Sequence, residues 1–237
     1  MKVRTNLVAV SVLLLTIPSP ARSQNQNSSI NNNVGVISPD TRVDGLNYAE
    51  WSVKWWQWAV SIPIGTNPIY NYTEKNCGLG QGPVWFLAGT SGGSATRTCT
   101  LPLGTLIFFP IINYDNDYPC PNPAFHPKPG QSLQDFLTKG AQDAIPPGIG
   151  LTVEVDHKSL QHLSDYRATS GMFTFKGDIS WKSVDSCITG WYQPVVSDGY
   201  WIMLEPLSAG THLVHFRAAT PSFLEGVDYT LTIVPQD

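Results

Sequence analysis

Glu50, Lys54, Gln57 and Ser61 recur at steps of three and four residues, which draws one polar stripe along a helix predicted over residues 46–61. Trp51, Trp55 and Trp58 form a second stripe, and Val53, Trp56 and Val60 fill the remaining circumference. A helix this apolar around most of its surface has to be largely buried. Asp44 or Asn47 can cap its start and Pro63 stops it. A second helix is predicted over residues 132–144, ended by Pro146-Pro147-Gly148. The rest reads as short strands between turn residues, at 83–88, 95–100, 105–112, 151–155, 172–176, 200–204, 211–217 and 229–234. Gly92-Gly93 supplies a hairpin turn between the first two, and Ser208-Ala209-Gly210 precedes the penultimate one. Strands at this spacing with few helices between them favour a mainly β fold. We expect a β-sandwich or jelly-roll-like domain over residues 34–237, with the Trp-rich helix buried and the second helix on an edge or face.

The first residues change the compartment. Lys2 and Arg4 precede an apolar run over residues 7–17, Pro18 and Pro20 break it, and Ala21 and Ser23 are the small residues of a cleavage site. That is the form of a secretory signal over residues 1–23. The apolar run is too short to cross about 30 Å of hydrocarbon, and no later segment is a better span. Removing it takes away Lys2, Arg4 and Arg22 and no acid, which moves the formal charge from −4 to −7. A mildly acidic chain without a Lys/Arg cluster gives no footprint for nucleic acid or an anionic membrane. Residues 24–33 are Asn/Gln/Ser-rich and read as a disordered tail.

In an oxidising compartment the even count of Cys77, Cys99, Cys120 and Cys187 reads as two disulfides. We favour Cys77–Cys99, closing a hairpin-sized loop, and Cys120–Cys187, tying a Pro-rich loop to a later strand. No C-x-x-C spacing suggests zinc or a redox centre. Asn27-Ser28-Ser29 and Asn71-Tyr72-Thr73 are glycosylation sequons.

Several motifs bear on chemistry. Gly89-Thr90-Ser91-Gly92-Gly93 matches a nucleophile-elbow spacing, but residues 94–99 read as a strand where a helix is required; as a trypsin-like G-x-S-G-G it needs a base from earlier in the chain, and every histidine comes later. A Gly-rich hairpin turn is the better reading. Asn113-x-Asp115-x-Asp117 offers three hard oxygen ligands for calcium, yet position 6 is Tyr118 and position 12 is Ala124, so it is read first as an Asx-rich loop. No other cofactor is indicated. His212 and His215 fall on opposite faces of a strand and cannot share one metal. Arg97, Arg167 and Arg217 are expected to bridge buried carboxylates or loop carbonyls. Tyr114, Tyr118, Trp191, Tyr192, Tyr200 and Trp201 are candidate stacking surfaces for sugar rings. On the helix, the tryptophans either fill a core beneath an exposed Glu50–Lys54 pair, or the polar stripe opens into a cleft where Glu50 and Lys54 meet Asp115 and Asp117.

The runs Trp51-x-x-x-Trp55-Trp56-x-Trp58, 82–89 (GPVWFLAG), Arg97-x-Cys99-Thr100 and Phe109-Pro110-Ile111-Ile112-Asn113 resemble a family of exported microbial proteins with no assigned activity. The endings at 210–216 and 229–231 are similar too. The resemblance implies export and a compact domain, and it transfers no catalytic residue.

Together these features favour a secreted, non-catalytic β-sandwich that binds a glycan or small ligand, with Glu50, Lys54, Gln57, Asn113, Asp115 and Asp117 as candidate binding residues. The alternatives are a secreted enzyme using a carboxylate pair, Glu50 with Asp115 or Asp117, or a metal, and a structural envelope protein.

Overall fold

The structure, a computed structural model, describes Asn33, residues 35–71, Cys77 and residues 84–235. The signal segment, the tail up to residue 32, Pro83, and the sequon residues Asn27 and Tyr72-Thr73 lie outside the described residues. Two helices, α1 (Tyr48–Ser61) and α2 (Leu133–Ala144), accompany ten strands: β1 (Val84–Phe86), β2 (Gly93–Pro102), β3 (Leu106–Asp117), β4 (Gly150–Val155), β5 (Lys158–Ser159), β6 (Arg167–Thr169), β7 (Phe173–Lys176), β8 (Tyr192–Leu204), β9 (Gly210–Thr220) and β10 (Phe223–Val234). They form two five-stranded sheets, one ordered β1-β3-β8-β6 with β7 also on β8, the other β2-β10-β9-β4-β5.

The fold is mainly β and sandwich-like, as the alternation predicts, with α1 as an additional layer. Phe108 and Phe109 are neighbours on β3 and so point to opposite faces of the first sheet; both are fully buried. Phe109 stacks on Phe216 of β9 at 4.7 Å, joining the two sheets. Phe108 lies parallel to Trp201 of β8 at 5.1 Å, and Trp55 of α1 meets Trp201 edge-on at 5.5 Å. Covering on both faces is why β3 and β8 read as nearly continuous apolar runs. Val196, on the β8 face opposite Trp201, packs with Leu137 and Ala141 of α2.

α1 starts at Asn47, whose side chain accepts from Glu50 N while the Glu50 carboxylate accepts from Asn47 N, a reciprocal cap. Its last carbonyls are also used. The buried Asn67 amide donates to Ala59 O and Ile62 O, and the Trp181 indole donates to Ile62 O at 2.8 Å.

Several expectations change. The two strands flanking Gly92-Gly93 are not a hairpin: β1 pairs in parallel with β3 and β2 in parallel with β10, in different sheets. Residues 113–117 are not a loop but the end of β3. Asn33 is not part of a loose tail; it is buried, donating to Gln161 O and Tyr166 Oη and accepting from Gln161 N. Glu50 pairs with Arg42 at 2.9 Å rather than with Lys54. The short strands β5 and β6 carry no local signal. Both disulfides pair as favoured, Cys77 with Cys99 and Cys120 with Cys187, although Cys187 sits in a turn rather than a strand. Among the described residues no helix is long and apolar enough to cross a membrane.

Truncating the centre of the helix–sheet contact should be costly. Trp201→Ala is expected to lose about 3–5 kcal/mol in urea unfolding. Tyr192→Ala, at a side chain 76% exposed, should change stability by less than about 0.5 kcal/mol.

Candidate functional site

β1 runs beside only Leu106, Ile107 and Phe108 of β3, so beyond Phe108 no described strand covers that edge. A cleft of about 200 Å³ opens there. Its aromatic walls are Trp55 and Trp56 of α1, Tyr70, Trp181 and Phe223, with Tyr114 at the exposed side.

A β-bulge prepares the floor. The ladder between β3 and β8 slips between Pro110 and Ile112, leaving Ile111 as an extra residue. Phe108 and Pro110 oppose Met203 and Trp201 before the slip, and Asn113, Asp115 and Asp117 oppose Gly199, Ser197 and Val195 after it. Odd-numbered β8 residues share the face of Trp201, so the bulge puts all three polar side chains on the α1 side. Without the extra residue they would face the other way.

The facing wall depends on Arg97, which is 1% exposed. Its guanidinium donates to Ala88 O at 2.6 Å, Gly89 O at 3.1 Å, Tyr229 Oη at 2.7 Å and Pro68 O. Ser91 N donates to Ile69 O at 3.2 Å. Two loops are thereby clamped side by side, which is the carbonyl-bridging role expected of this arginine. The other two expected arginine bridges run to carboxylates, Arg167 to Asp198 and Arg217 to Asp228, each at 2.8 Å or less.

The third wall comes from residues 178–187. Asp178 N donates to Val60 O and Ile64 N to Ser180 Oγ, which docks the segment on the end of α1 and places Trp181. Asp185 follows, held by its N–H on Trp181 O and by Cys187 N on its carboxylate. The Cys120–Cys187 disulfide ties this turn to the end of β3, and a carboxylate oxygen of Asp185 lies within 4.8 Å of one of Asp117. Cys187 sulfur is equally near but is oxidised, so it supplies no thiolate.

The electrostatics follow from this crowding. Burial, then the charges of Asp117 and Asp185, push the Asp115 carboxyl well above the usual range. Burial, then Asp185, push Asp117 up to about 7, although the Gln193 amide donates to its carboxylate. Glu225 alternates in phase with the inward-facing Val227, Tyr229, Leu231 and Ile233 of β10. It is 8% exposed, has no hydrogen-bond partner among the described residues, and burial alone pushes it up to about 8. Two donors in the lining are also unpaired, the indole N–H of Trp56 and the amide of Asn113.

The candidate residues therefore divide. Asn113 and Asp115 line the cleft, and Asp117 stands beside Asp185 at its end. Glu50, Lys54 and Gln57 do not line it: Glu50 is engaged by Arg42 and its own cap, Lys54 is exposed, and Gln57 donates to Thr174 O. The opposite, tryptophan face of the helix forms the wall, so no Glu50–Asp115 pair is assembled. Every second residue of a strand, on the same face, stands roughly 6.6–7 Å from the next, so Asn113, Asp115 and Asp117 do not curl around one ion as a calcium loop does. Ser91 is in the wall, but β2 follows it and no histidine lines the cleft. Of the suggested stacking residues only Tyr114 reaches the cleft. Trp201 is core, Tyr200 lies under Arg167, Tyr118 packs on Phe125, and Trp191 and Tyr192 are exposed outside the lining.

His212 and His215 do have separate partners. His212 Nδ1 meets Asp156 at 2.7 Å, while Nε2 faces Ser208 O at 3.0 Å and Ser208 Oγ at 3.2 Å. Both ring nitrogens are thus engaged within neighbouring loops. The group is a loop clamp. His215 meets Asp228, which Arg217 also holds.

Two predictions follow from the buried charges. Native Glu225 binds its proton more tightly than the unfolded chain does, and Asp117 acts in the same sense. Their contribution is complete below the ordinary carboxylate range and is lost as pH rises toward about 8. The melting temperature should fall between pH 5 and pH 8, and Glu225→Gln should flatten that fall; an unchanged slope would contradict the assignment. Arg97→Lys keeps the charge but loses the fork, and should cost on the order of 1–3 kcal/mol for each loop carbonyl left unpaired, read by thermal unfolding.

No protein-family model matches the chain, and no curated protein matches it. Among solved structures, a cysteine protease inhibitor from Entamoeba histolytica is similar over 63% of this chain and 94% of its own, at 15% identity and a TM-score of 0.24. A likeness that low carries no argument about the site.

Proposed function

We propose that this is a secreted, non-catalytic binding protein whose cleft takes one sugar-sized unit of a glycan or a small polyhydroxylated ligand. The observation that carries this reading is the set of unpaired polar groups in the aromatic walls. The Trp56 N–H and Asn113 amide are unused donors, and the buried Glu225 carboxyl on the same lining has no hydrogen-bond partner among the described residues. Leaving such groups dry costs about 1–3 kcal/mol each, which a ligand bearing hydroxyls beside apolar ring faces would recover. The two disulfides accord with a site outside the reducing cytosol. Among the described residues the lining has no nucleophile–base pair, which favours binding over hydrolysis by a serine.

Three tryptophans, Trp55, Trp56 and Trp181, line the cleft, so intrinsic fluorescence reports occupancy. Titration with a panel of mono- and oligosaccharides should give saturable quenching with at least one. Asn113→Ala should weaken it roughly tenfold, the loss of one hydrogen bond of about 1.5 kcal/mol. Saturable binding that is indifferent to Asn113→Ala and Tyr114→Ala, or no binding across the panel, would overturn the reading.

A further inference from the structure

The cleft is one-sided in charge. Asp115, Asp185 and Glu225 line it and Asp117 adjoins them, while no Lys, Arg or His among the described residues does. The nearest buried cation, Arg97, spends its hydrogen bonds on Ala88, Gly89, Pro68 and Tyr229 and makes none to a cleft carboxylate. Arg167 and Arg217 are likewise engaged, with Asp198 and Asp228. A folded chain normally relieves clustered carboxylates with a basic side chain, and among the described residues none does so here. Instead the Cys120–Cys187 disulfide, the Gln193 bridge to Asp117 and the docking of residues 178–183 on α1 hold like groups together.

Acidic clustering alone would be inconclusive. Here it coincides with a cavity, with an unpartnered Glu225 that is 8% exposed, and with tryptophan faces on the same lining. Carboxylates and aromatic faces both attract a positive charge that has left water. The unpaired Trp56 N–H, by contrast, asks for an acceptor oxygen. One small ligand meets both demands if it carries a cationic amine and hydroxyl or ring oxygens.

We propose that the ligand is an amino sugar with a free amine, its ammonium group seated among Asp115, Asp185 and Glu225 and its ring against the tryptophan walls. The proposal rests on the sugar-binding reading and narrows its ligand class. An incoming ammonium favours the ionised carboxyls, so binding at neutral pH expels protons from Asp115, Asp117 and Glu225. Tyr70 and Tyr114 are the remaining titratable groups on the lining.

The test is calorimetric titration of the full chain with glucosamine, N-acetylglucosamine and glucose, and with ethanolamine as an amine lacking the ring. Glucosamine should bind at least about tenfold tighter than N-acetylglucosamine and glucose, with a heat that depends on the buffer's ionisation enthalpy. Asp115→Asn and Glu225→Gln remove repulsion without removing volume, so they should fold, and each should draw the glucosamine-to-glucose ratio toward one. Equal affinity for all three sugars overturns this inference and leaves the sugar reading standing. Ethanolamine binding as tightly as glucosamine overturns the sugar reading and with it the amino-sugar assignment. Silence from all four ligands overturns the inference.

Discussion

The stacking of α1 on the first sheet, through Trp55, Trp201 and Phe108, is the contact on which the other features depend. Each large ring removed from water contributes on the order of several kcal/mol, and edge-on and parallel ring pairs add to that. With one sheet face occupied by the helix and the other by the second sheet, β3 and β8 become the middle layer and must be apolar on both sides. Only where the covering gives out, past the end of β1, can the same strands carry polar side chains. The cleft is the place where that layering stops.

What the cleft then contains is an electrostatic conflict held by covalent and hydrogen-bonded constraints. Asp117 and Asp185 belong to distant parts of the chain and would separate in an open loop. The disulfide between Cys120 and Cys187, three residues beyond one and two beyond the other, keeps them in reach. Retained protons reduce the repulsion, which is why carboxyls here stay neutral at pH values where ordinary ones are charged. Structural stability and site chemistry meet in the same few groups.

Much of the scaffold was legible in the chain. α1, with Asn47 as one of two candidate caps, all strands except β5 and β6, and both favoured cysteine pairs follow from periodicity, capping and compartment. The pairing of strands did not, because β1 with β3 and β2 with β10 are parallel partners joined by crossovers that leave no local mark. The site was half visible. Asn113, Asp115 and Asp117 stand out as an Asx run, but their face is decided by the Ile111 bulge, which no composition announces. Glu50 drew attention as a helix carboxylate, whereas its local role is to cap. Asp185 lies in a turn placed by tertiary contacts. Glu225 had a readable signal, the one carboxylate in phase with the inward apolar positions of β10.

The slip at Ile111 has a bearing on how such a protein can diversify. It divides a single strand into two tenants: the stretch up to Pro110 belongs to the packed interior, and the stretch from Asn113 to Asp115 belongs to the cleft. Exchanges at Asn113 or Asp115 would remodel the cleft lining and leave the aromatic stack a few residues upstream in place. A scaffold arranged in this way can change the walls of its cleft while keeping its frame.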